Sequence, residues 1–198
     1  AQARQADPEG RAALPAAVAA GYHLLNGDGD VDTAWSVLVR AIEGLVPTVG
    51  PAPLHDGEPL VEALHSLELV CSFTGRDEPW VPFDRAMAEL GDRVPLVLRV
   101  SGRTHGDPAR ATGTDLERVD DLVTTIDRER SPTQVIRIAI AAFFIDRLPG
   151  CRGALRRVVD DGLEGGAVAS AVNALMILCH DALQAGRWDE AEALAHRG

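Results

Sequence analysis

Six residues on one predicted helix combine side-chain types and a spacing suited to binding chemistry. Across Ala167 to Ala185, at about 100° per residue, Ser170, Asn173, Ile177, His180, Asp181 and Gln184 fall within one sector of roughly 120°. A hydroxyl, two amides, an imidazole and a carboxylate on one stripe supply donors, acceptors and a titratable group for holding a small effector or a protein segment. His180, with a reference pKa of about 6.5, would make such a contact pH-sensitive. The plainer alternative is a solvated helix face.

Catalytic sets are harder to assemble. Cys179 and His180 are neighbours that point about 100° apart on a helix, and His65 and Cys71 have no spaced partner pair, so packing is favoured over metal ligation. The loop Asn26-Gly27-Asp28-Gly29-Asp30-Val31-Asp32 suggests calcium, but an EF-hand needs Gly at its sixth position and Glu at its twelfth. Counted from Asp28 these are Thr33 and Val39; counted from Asn26 they are Val31 and Val37. Turn aspartates and a helix cap account for the loop better. No G-x-S-x-G marks Ser72, Ser101 or Ser170 as a nucleophile. The chain is therefore expected to be non-enzymatic, with no metal and no cofactor.

The totals narrow the class further. A chain of 198 residues, 46% hydrophobic and 25% charged, suits one globular domain spanning 1–198. Thirty acids against nineteen bases give a formal charge of −11, and every base is Arg. An acidic chain offers no basic face for phosphates, so no direct nucleic-acid contact is expected; without lysine it cannot supply a P-loop either. Cys71, Cys151 and Cys179 are widely spaced in apolar surroundings and predict core thiols in a reducing cytoplasm. The absence of a signal-peptide core, or of an apolar run of about 18 residues, predicts a soluble protein without membrane contact.

The elements that must position these residues read as helices throughout. Leu14, Val18, Tyr22 and Leu25 run at helical spacing, with Pro15 delaying the start. A second helix is expected from about Val31 to Leu45 behind an Asp30 cap. After the proline-rich connector Pro47 to Pro59, helices are predicted from Leu60 to Cys71 and from about Glu78 to Leu90. The run Val94 to Val100 fits a strand or a buried helix, and helix is preferred because no partner strand is in sight. Ser101 to Gly113 reads as a loop, and Thr114-x-x-Glu117 as the capping box of the next helix. Ser131-Pro132 opens an inner helix over Val135 to Leu148, and Leu155, Val158, Val159 and Leu163 form an outer one ending at Gly165-Gly166. Ala167 to Ala185, with Val168, Val172, Leu175, Cys179 and Ala182 as its periodic apolar set, is closed by Gly186; Trp188, Ala191, Leu194 and Ala195 restart the pattern.

That last junction occurs twice. Gly186-Arg187-Trp188-Asp189-Glu190-Ala191 aligns with Gly29-Asp30-Val31-Asp32-Thr33-Ala34, each leading into a helix. Gly29, Ala34, Gly186, Trp188 and Ala191 are thus candidate structural residues of a repeat in which a small Ala lets helices lie close. The fold class that follows is all-α: a right-handed stack of antiparallel helix hairpins, about ten helices in total.

Three phrases carry a resemblance: Tyr22-His23-Leu24-Leu25-Asn26-Gly27-Asp28-Gly29-Asp30-Val31-Asp32-Thr33-Ala34, Asp146-Arg147-Leu148-Pro149-Gly150-Cys151-Arg152, and Asp161 to Ser170 together with the junction at Gly186. They resemble the tetratricopeptide-like helical region of large bacterial LuxR-type transcriptional regulators, over nearly the whole chain. The resemblance implies an excised piece of a longer polypeptide, a reading that the missing initial Met also suggests. In that family an ATP-binding module precedes such helices and a DNA-binding helix-turn-helix follows them. This piece would then be a signal-sensing, protein-interaction module, with a homo-oligomer as one form open to it. The rival expectation is a stand-alone all-α protein or enzyme enclosing a small molecule near Arg137, Asn173 and His180. A dimerising spacer would instead use Trp80, Trp188 or the Phe143-Phe144 pair.

Overall fold

The computed structural model describes residues 8–23 and 30–197. Ten α-helices and no strand occur among the described residues: α1 (Pro8–His23), α2 (Val31–Leu45), α3 (Pro59–Thr74), α4 (Trp80–Leu90), α5 (Leu96–Thr104), α6 (Gly113–Thr125), α7 (Pro132–Ala142), α8 (Arg152–Leu163), α9 (Val168–Gln184) and α10 (Trp188–Ala195). The all-α expectation holds, including the ambiguous run at 94–100, most of which lies in α5 with Val97, Leu98 and Val100 buried. Among the described residues no helix is long and apolar enough to cross a membrane. The chain divides into two compact units, Ala1–Arg99 and Val100–Gly198.

In the first unit α1, α2 and α3 pack mutually, and α4 lies against α2 and α3. Leu14, Leu38, Ile42, Leu64, Leu67, Phe83 and Leu90 are each almost fully buried in this core. Asp30 caps α2 as expected, accepting from the Thr33 backbone N–H at 2.9 Å. Pro15 does not delay α1, which begins at Pro8. The proline removes one backbone donor, but burial of Leu14 and Ala17 beside it compensates. Gly29 and most of the acidic loop lie outside the described residues.

Three predicted boundaries in the second unit change. α5 runs on to Thr104, whose buried hydroxyl sits 2.6 Å from the Ala141 carbonyl of α7 and so extends the helix into the expected loop. The capping box of α6 lies two residues earlier than the sequence pattern placed it. The Asp115 N–H donates to Thr112 Oγ1 at 3.3 Å, and the Thr112 N–H donates to Asp115 Oδ2 at 3.0 Å. α7 stops at Ala142 instead of reaching Leu148, because Asp146 takes a left-handed φ of 58° and Arg147 turns back to Asp120, Nε to Oδ1 2.6 Å.

Candidate functional site: the open face of α9

Both ends of α9 are fixed by glycine turns. At the preceding turn, the Gly166 N–H donates to Asp161 O and the Gly165 N–H to Gly162 O, with Gly165 at φ +96°. At the end of α9, the Arg187 N–H donates to Ala182 O and the Gly186 N–H to Leu183 O, with Gly186 at φ +70°. Each pair of bonds is a Schellman closure, which only a residue free to adopt a left-handed φ allows cheaply. α8 and α9 then meet closely: a Cβ added at Gly162 would lie 2.3 Å from the Ala171 Cβ. Ala171, Ala174, Leu175, Ile177, Leu178 and Ala182 form the buried side of α9, which packs on α7 and α8.

One charged group is buried with them. Asp181, 5% exposed, accepts from Arg152 through Nε at 2.5 Å and Nη2 at 3.1 Å, and from Arg187 Nη2 at 2.6 Å. Arg187 Nε donates onward to Glu190 Oε2 at 2.6 Å, and Glu190 also accepts from Arg156 Nη2 at 2.9 Å. The chain of ion pairs joins the start of α8, the end of α9 and the start of α10. Burial alone would raise the Asp181 pKa, but the hydrogen bonds and charges of the two guanidinium groups outweigh it and hold the carboxyl below its ordinary range. This carboxylate is engaged in holding helices together.

The opposite side of α9 is uncovered. Val168, Val172, Met176 and Leu183 are 62%, 50%, 59% and 43% exposed. With Leu175, Cys179 and His180 of α9 and Leu194 and Ala195 of α10, the last three of them line an open groove of about 360 Å³. His180 stacks on Phe143 with centroids 4.4 Å apart, and its Nε2 is buried without a hydrogen-bond partner. Phe143 in turn meets Phe144 edge-on at 4.8 Å, and Phe144 stacks on His105 at 5.5 Å. The groove is thus apolar, with one imidazole at its edge.

The six stripe residues divide among these environments. Asn173 and Gln184 are exposed, Ser170 and His180 are half-buried, and Ile177 and Asp181 face inward. Only His180 of the six lines the groove. Of the junction residues, Ala34 and Ala191 are buried, at 0% and 3% exposure, while Trp188 stands 66% exposed. The sequence reading placed Val168 and Val172 in one periodic apolar set with the buried Leu175 and Ala182, and did not single out Met176 or Leu183. α9 is apolar around most of its circumference, so periodicity identifies the helix without saying which apolar side is covered.

Other chemistry-bearing residues are internal. Burial, assisted by nearby acids, pushes the Cys71 and Cys151 thiols up to about 12, which keeps them protonated and unreactive. No group of three His, Cys, Asp or Glu side chains that could hold a metal ion occurs among the described residues. No protein-family model matches the chain, and no match was found among curated proteins or solved structures.

Proposed function

We propose that the chain is a non-catalytic recognition module in which helix hairpins present the open face of α9 to a helix of a protein partner. The observation that carries this reading is the run of half-exposed apolar residues Val168, Val172, Met176 and Leu183, which follows a helical pitch beside α10. A monomer gains nothing by leaving such a row in water, and a helix laid along it removes about 25 cal/mol of unfavourable free energy per Å² covered. Its i, i+4 spacing suits the helix-in-groove mode of peptide recognition.

With the sequence resemblance, we read the chain as the helical-repeat part of a LuxR-type transcriptional regulator acting in the cytoplasm; the all-helical fold is compatible with that reading. ATP binding and DNA binding would then belong to other parts of a longer polypeptide. The test is fluorescence polarisation with a labelled helical peptide carrying leucines at i, i+3, i+4 and i+7. Saturable binding that is lost in Met176→Glu is expected, whereas no binding, or binding indifferent to that substitution, refutes the reading. A small effector is the second reading, favoured by the unpartnered His180 Nε2 at the edge of a groove whose volume is large enough for a drug-sized molecule.

A further inference from the structure

We draw no further inference here: the strongest candidate, the open groove between α9 and α10 lined by Met176, Cys179, His180 and Leu183, belongs to the site already described, and nothing in the structure shows what covers it.

Discussion

Replacing Asp181 by Ala should destabilise the chain by about 2–3 kcal/mol. The carboxylate is 5% exposed and accepts three charge-assisted hydrogen bonds. Removing one partner of a fully buried pair costs about 3–5 kcal/mol, because the other charge is left stranded. Here the stranded groups are Arg152 and Arg187, whose side chains are 29% and 33% exposed and can partly rehydrate, so the cost falls to the bottom of that range or just below it. For a chain of this length that corresponds to a fall in Tm of roughly 4–12 °C, readable by circular dichroism or calorimetry. Asp181→Asn, which keeps one acceptor and loses the charge, should cost about half as much. The pH dependence carries a sign. The folded pKa is depressed, so the carboxylate's contribution is present above its unfolded pKa of about 3.9 and is lost as pH falls through the folded value. The gap between parent and Asp181→Ala should therefore be constant at neutral pH and close progressively below about pH 4. A variant melting within about 1 °C of the parent at pH 7 would refute the argument that this network holds α8, α9 and α10 together.

Further consequences can be checked on the same preparations. Gly162→Ala should lower stability by about 1–3 kcal/mol through the clash with Ala171, and pairing it with Ala171→Gly should recover part of the loss in a double-mutant cycle. Thr112→Ala should cost about 1 kcal/mol by denaturant unfolding while Thr114→Ala changes little, since the capping bonds belong to Thr112 and Asp115. In native buffer near pH 8 a thiol reagent should modify Cys179 alone, with Cys71 and Cys151 reacting only after unfolding; rapid reaction of all three would contradict their burial. Met176→Glu should leave Tm within a degree or two of the parent, because the residue stands on an open face.

The helices were legible because their signals are local. Glycines at 75, 165 and 186 adopt the left-handed φ that ends a helix, and Asp30 and Ser131 cap the helices they precede. What escaped the sequence depends on contacts made at a distance. The end of α7 is set where Arg147 reaches Asp120, and the extra turn of α5 is set where Thr104 reaches Ala141, pairings that no window of neighbouring residues reveals. The site was half legible for the same reason. Polar character drew attention to Asp181, whose role depends on Arg152, 29 residues away. The apolar row beside it reads as core until the neighbours of α9 are known to leave that side open.

The central claim is that this row on α9 is a recognition surface, and Met176 reports on it directly. Met176 is 59% exposed, while the other methionine, Met87, is half-buried against the core of the first unit and serves as an internal reference. Peroxide oxidation followed by mass spectrometry gives both rates with and without the helical peptide. Oxidation of Met176 should slow as peptide is added, with Met87 unchanged. A Met176 rate indifferent to peptide would contradict the account.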